Sequence, residues 1–400
     1  MVLGLPTALL AVLSTIILSP VAVHAVDLET VLAGQANLTT FRGLIKNHTD
    51  IFANLPKGVT VAVPNDNAFR KLGNWEAYNE STVAATLKYH ILTETIDMPS
   101  IEKGDSVWAS TTLTGEKFSN VTGGQRLILT KQPGGEVVFT SGFATRGTVL
   151  VEDLPFDNGL VQVIDSVMRV PETLESTARS AYTDLTAFVG ALYATDLMSE
   201  VVKHKDLTIF APRNTAFQQL AGALENMDKE KLKRVLHYHI VPGQLAHVWE
   251  LKNASALGTA EKGKKVSVTR HTNFIYINSA EIIQADILVA NGLVHMIDNV
   301  LNPDLAGARP DVTLTTAQAP VFTPVGATAT GTTVPTPFAS DLPCTASCPV
   351  APPAAKPTGS GGGAGDAPSS NAGVAPARCT GLAGAGVGIG LIVGAIMVAL

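Results

Sequence analysis

Few side chains in this 400-residue sequence are placed to do chemistry, and most of them recur. Tyr-His pairs stand at Tyr89-His90 and at Tyr238-His239, with His237 two residues before the second histidine. An imidazole can exchange a proton near neutral pH, so a histidine beside a carboxylate is the minimum for acid–base hydrolysis. Glu152, Asp153, Asp157 and Asp165 cluster in the first half of the chain, but paired-carboxylate catalysis needs a cleft that spacing does not supply. A solvated edge is the expectation for them. His237 and His239, two apart on a helix, point to different faces and cannot share a metal as an i, i+4 pair can. No His-Glu-x-x-His, Gly-x-Ser-x-Gly or Walker-type phosphate loop occurs, and the glycine run at 359–365 has no strand before it and reads as a linker. No catalytic residue, metal or cofactor is therefore expected. A tyrosine beside a histidine on a half-buried helix packs its ring and satisfies its polar atoms on nearby backbone, which is the bland reading of both pairs.

The rest of the chemistry belongs to secretion. Residues 1–25 carry no Asp, Glu, Lys or Arg, run apolar from Ala8 to Leu18 and end on Val23-His24-Ala25, which reads as a signal peptide; an uncleaved anchor is the alternative. Five Asn-x-Ser/Thr sequons, at Asn37, Asn47, Asn79, Asn120 and Asn253, are expected on the surface and mostly glycosylated. The formal net charge of −6 offers no basic field for polyphosphate, so nucleic acid is excluded as a partner. No cysteine occurs before Cys344, so the folded part must be held by ordinary cores. Cys344 and Cys348, in a flexible secreted segment, are expected to form a local disulfide rather than a metal site.

The elements that must position these groups are marked by an internal repeat. VTVAVPNDNAF at 59–69 returns as LTIFAPRNTAF at 207–217, LKYHIL at 87–92 as LHYHIV at 236–241, and NGLVQVIDSVM at 158–168 as NGLVHMIDNVL at 291–301. Val59, Val61 and Val63 alternate with Thr60 and Ala62 as a strand ended by Pro64, with Asn65-Asp66-Asn67 supplying turn and capping oxygens. Val83, Leu87 and Ile91, like Leu232, Leu236 and Ile240, fall at four-residue steps and predict an amphipathic helix carrying each Tyr-His pair. Asn158-Gly159 and Asn291-Gly292 predict tight turns into a closing strand. Runs such as RLILT, EVVFT, TVLVED, KVSVT and FIYIN fill the interval with further strands. Each copy is thus a mixed α+β domain, helical in front and β-rich behind, over residues 26–169 and 170–303.

Three ordered motifs seen twice resemble the fasciclin domain family. The resemblance implies two tandem domains, each a β-sandwich wedge flanked by helices, of the kind used in extracellular adhesion and matrix proteins. It also implies that Tyr89, His90, Tyr238 and His239 are candidate adhesion residues, since the tyrosine-histidine motif of that family is linked with integrin-type adhesion; no Arg-Gly-Asp accompanies it here.

After Pro303 the composition shifts to Ala, Pro, Thr, Ser and Gly, and residues 304–371 are expected to form a disordered, O-glycosylated stalk. Residues 372–400 end on an uncharged apolar stretch from Leu382. Small residues at Asn371-Ala372-Gly373 and a short spacer fit a glycosylphosphatidylinositol signal with attachment at Asn371, and a retained transmembrane helix is the alternative. The expected function is non-enzymatic adhesion or cell-wall organisation at the outer leaflet of the plasma membrane or in the wall, with wall or matrix glycans and proteins, or further copies, as partners. The anchored, sugar-rich stalk suits a fungal or plant cell. The alternatives are a trafficking or membrane-fusion factor at a vacuolar or other internal membrane, and a secreted hydrolase using His90 or His239.

Overall fold

The computed structural model of the protein describes residues 26–314, 317–322 and 336–343; the leader, Cys344, Cys348, Asn371, the apolar C-terminal stretch and most of the stalk lie outside them. Among the described residues no helix is long and apolar enough to cross a membrane.

Each repeat builds one seven-stranded sheet. The first contains β1 (Val59–Pro64), β2 (Ile91–Leu92), β3 (Ser106–Ser110), β4 (Arg126–Lys131), β5 (Val137–Thr140), β6 (Arg146–Phe156) and β7 (Gly159–Ile164), in the order β2-β1-β7-β6-β5-β4-β3. Its β1 and β7 run parallel and its other neighbours antiparallel. The second repeats this with β8 (Leu207–Pro212), β9 (Ile240–Val241), β10 (Ala256–Gly258), β11 (Lys265–His271), β12 (Phe274–Ile277), β13 (Ala280–Val289) and β14 (Gly292–Ile297). Register shifts at Val151 in β6 and at Gln284 in β13 bend these long strands, so the two arms of each sheet fold over a core of their own.

The landmark strand is buried on both faces. Val59, Val61 and Val63 enter a core shared with Leu32, Phe41 and Phe69 of the helical layer, while Ala62 enters the core between the sheet arms with Tyr89, Leu127 and Phe139. Thr60 is tolerated there because its hydroxyl donates to Glu94 O (2.9 Å) and accepts from Ile96 N (2.8 Å). Thr208 repeats both bonds with Gln244 O (2.7 Å) and Ala246 N (2.9 Å). Gly159 and Gly292 are glycine for close approach: a Cβ at either would overlap the carbonyl of Val59 or Leu207 on the parallel neighbour.

The domains meet through hydrogen bonds and one ring stack. Asn120 N donates to Ala290 O (2.8 Å), Thr122 N to Asp206 Oδ1 (2.7 Å), and the fully buried Gln125 side chain to the Val289 and Ala290 carbonyls (3.3 and 3.2 Å). Trp108 of the first domain stacks on His247 of the second, with centroids 4.9 Å apart.

The C-terminal segment departs from its composition. The tract after Pro303 reads as unable to form a core, yet residues 336–343 dock on the second domain. Phe338 packs edge-on against Phe217 (6.2 Å, 84°), and its carbonyl lies where a Cβ on Gly190 would stand. Leu342 joins the core, and Arg179 donates to Pro343 O. Gly43, at the matching position of the first domain, has open space above it, and Trp75 sits edge-on against Phe69 there (5.2 Å, 68°). The tail thus lends the second domain an aromatic ring that the first finds locally.

Candidate functional site

Both Tyr-His pairs close the helices Glu80–Tyr89 and Lys229–Tyr238, with His90 and His239 as the C-terminal caps. Tyr89 and Tyr238 are completely buried, and their hydroxyls donate to Arg126 O (2.7 Å) and Lys265 O (2.9 Å) at the start of β4 and β11. His90 Nδ1 donates to Thr86 O (2.7 Å), and its Nε2 accepts from Met168 N (3.0 Å). His239 does the same with Val235 O (2.7 Å) and Leu301 N (2.9 Å). Each imidazole is therefore a neutral brace between the end of a helix and the chain leaving the closing strand. Burial holds both pKa values down to about 4.

This corrects the expectation that Tyr89, His90, Tyr238 and His239 meet a partner. At 0–1% exposure they touch protein alone, and with both ring nitrogens bonded to backbone neither histidine has a carboxylate to work with. Asp153 and Asp165 are spent on fold as well: Asp153 accepts from Met98 N (3.2 Å) and Gln162 Nε2 (2.6 Å), and Asp165 from Thr148 N (2.8 Å). Among the described residues no three His, Cys, Asp or Glu side chains converge as metal ligands.

One buried pair differs between the copies. His295 donates through Nε2 to Ala246 O (2.9 Å) and accepts at Nδ1 from Asp286 N (3.3 Å), with its ring stacked on Phe210 (5.4 Å). Gln162 holds the same place in the first domain, donating to Ile96 O (3.2 Å) and accepting from Asp153 N (2.9 Å). Burial lowers the His295 pKa to about 4 and raises that of Asp286 to about 7. The folded state thus refuses a proton on His295 that the unfolded chain accepts below pH 6.5, so stability is lost as pH falls from 6.5 towards 4. Asp286 acts in the opposite sense, holding its proton in the fold between pH 7 and 3.8. His295→Gln copies the arrangement of the first domain. It is expected to leave stability at pH 7.5 nearly unchanged and to raise it by about 2 kcal/mol at pH 5, at 1.36 kcal/mol per pKa unit. Thermal melts at the two pH values check this.

The sequons separate by location. Asn37, Asn47, Asn79 and Asn253 are exposed. Asn120 is part-buried between the domains, with Nδ2, the atom a glycan would substitute, donating to Lys203 O (3.2 Å) and His204 O (3.4 Å). Peptide mass spectrometry is expected to find Asn120 unmodified and sugars on the other four; a glycan at Asn120 would contradict the domain packing.

What sequence reasoning missed lies between the domains. Trp108 and Trp249 face one cavity of about 420 Å³ together with polar side chains of both sheets. Neither tryptophan falls in a repeated landmark, and only the rarity of the residue marks them, with three in the chain.

Comparison with known proteins bears on the two repeats. The fasciclin domain matches twice, over residues 36–171 and 183–303. A fasciclin-like arabinogalactan protein of Arthroderma benhamiae is 30% identical over 261 residues, which make up 64% of this chain and 61% of that protein. The fasciclin-like arabinogalactan protein elcF of Phaeosphaeria nodorum is 27% identical over 72% of this chain and 92% of its own length. The match thus spans about three-fifths of the Arthroderma protein and nearly all of the Phaeosphaeria one. Among solved structures, a domain pair from the insect cell adhesion molecule fasciclin I is 17% identical and covers 66% of this chain and 97% of that one, with a TM-score of 0.33. The two matched stretches include every landmark of the internal repeat and together span more than half of the sequence, so the chain belongs to the fasciclin domain family.

Proposed function

We propose that this chain is an extracellular adhesion-type glycoprotein that works by binding, through two fasciclin domains that make weak contacts with cell-wall or matrix material or with further copies of itself. A glycosylphosphatidylinositol anchor at Asn371 would hold it at the outer leaflet, with the stalk between anchor and domains. The observation that carries the reading is the state of the histidines best placed for proton transfer. His90 and His239 are closed in cores and tied to backbone by both ring nitrogens, so the residues that looked most like chemistry serve the fold. What the domains offer a partner is surface. The names of the fungal relatives, fasciclin-like arabinogalactan proteins, support an extracellular glycoprotein. Two domains joined through a bonded interface present two surfaces at fixed spacing, and the second contact then forms at a high effective concentration, so modest single-site affinity suffices.

Display on a non-adherent cell tests this. Cells carrying the full-length chain are expected to clump or to settle on surfaces coated with wall fragments, and phosphatidylinositol-specific phospholipase C is expected to abolish both effects. Displayed protein with no gain in either would overturn the reading.

A further inference from the structure

The cleft between the domains is lined unlike a simple packing defect. One wall is the outer surface of the first sheet, where Trp108, Ile128, Thr140 and Arg146 stand in register across four neighbouring strands. At about 4.8 Å per strand this row is roughly 14 Å long, with a ring at one end and a guanidinium at the other. Beside it the hydroxyls of Ser106 and Thr130 lie 2.7 Å apart. The facing wall comes from the second domain: Trp249, and Gln284 and Asp286 in the bulged part of β13.

Trp249 is 48% exposed, on a loop that the rest of the domain holds rigidly. Ala246 is fixed through both backbone atoms, by Thr208 Oγ1 (2.9 Å) and His295 Nε2 (2.9 Å). Val248 N donates to Asp286 Oδ1 (3.0 Å), and Arg270 Nη1 donates to the carbonyls of Val248 (3.3 Å) and Leu251 (3.1 Å). A large indole held out to solvent by a pinned loop, over a wall of polar groups, is pre-organised for a ligand, because little ordering entropy remains to be lost on binding. The Trp108–His247 stack fixes the walls relative to each other.

The lining selects the ligand class. Indole faces stack on the C–H faces of pyranose rings, and hydroxyls, a carboxamide, a carboxylate and a guanidinium are the partners that sugar hydroxyls take. An acyl chain would leave those groups unpaired. A polyphosphate would find Arg146 as the single cation among the lining residues. We propose that this cleft binds an oligosaccharide, stacked on Trp249 and running along the row from Trp108 to Arg146. The proposal rests on the reading that the domains bind wall or matrix material, and it names that material as glycan.

Affinity electrophoresis of the full-length chain, in mild detergent and in gels containing soluble β-1,3-glucan, mannan or arabinogalactan, tests it. At least one glycan is expected to retard the protein in a concentration-dependent way. Trp249→Ala, an exposed position that the fold does not need, is expected to weaken retardation at least tenfold, whereas Trp75→Phe, outside the cleft, retains it. No retardation by any of the three glycans, or full retardation of Trp249→Ala, overturns the proposal. If wall fragments still hold the chain in that event, the adhesion reading survives and the cleft does not; if they release it too, both fall.

Discussion

Replacing His239 by alanine is expected to cost the second domain about 3–5 kcal/mol, a large share of the about 5–15 kcal/mol that holds a domain of ordinary stability together. The change leaves Leu301 N and Val235 O without their partner in a closed core, at about 1–3 kcal/mol for each stranded group, and opens a cavity where the ring stood. His90→Ala is expected to do the same to the first domain through Met168 N and Thr86 O. Tyr238→Phe is the milder control. It removes a hydroxyl that donates to Lys265 O and accepts from Asn278 Nδ2 (2.9 Å), and about 1–2 kcal/mol is expected. Thermal unfolding, followed by circular dichroism and by hydrogen exchange in each domain, reads these effects. A His239→Ala protein that melted like the wild type yet no longer bound its partner would return the Tyr-His pairs to the recognition surface.

The second large effect is expected at the C-terminal tail. Phe338→Ala should destabilise the second domain by about 2–3 kcal/mol, since the ring is only half-buried, and Leu342→Ala by a similar amount. Removal of residues 336–343 is expected to exceed either. The first domain should be indifferent, because Trp75 already covers Phe69 there. Hydrogen exchange of the helix Thr186–Ala194, which carries Gly190 beneath Phe338, is the most local readout and should quicken. Unchanged exchange after removal of the segment would show that the docked tail contributes nothing.

These cases mark what the sequence made legible. The duplicated motifs carried the architecture because their reasons are local. Proline ends a strand at Pro64 and Pro212, and Asn65 Oδ1 caps the helix that follows by accepting from Ala68 N (2.8 Å). Even there one role was non-local. Asp66 and Asn214, read as turn residues, hold the start of an earlier helix, through Thr40 N and Ala187 N (both 2.8 Å). The helices bearing Tyr-His were legible from their period, and packing of the pairs onto backbone was one of their two readings, whereas the groups that fill that role were not legible, since Met168 and Leu301 lie 78 and 62 residues beyond His90 and His239. That β1 and β8 are buried on both faces was not legible, because a strand between two cores alternates only between apolar environments. Composition hid the docked tail, for two apolar anchors, Phe338 and Leu342, are too few to stand out in a proline- and threonine-rich tract. The cleft of Trp108 and Trp249 exists only once the domains are joined, and no single stretch of sequence announces it.

The central claim, that this protein acts by holding on to something, is tested most directly by incubating the purified full-length chain at micromolar concentration with isolated wall fragments and with beads carrying the same chain. The account expects saturable, reversible retention on at least one of them, slower to dissociate as surface density rises and both domains engage. Retention no greater than that of an inert protein of the same charge, from a chain whose circular dichroism shows both domains folded, would contradict it.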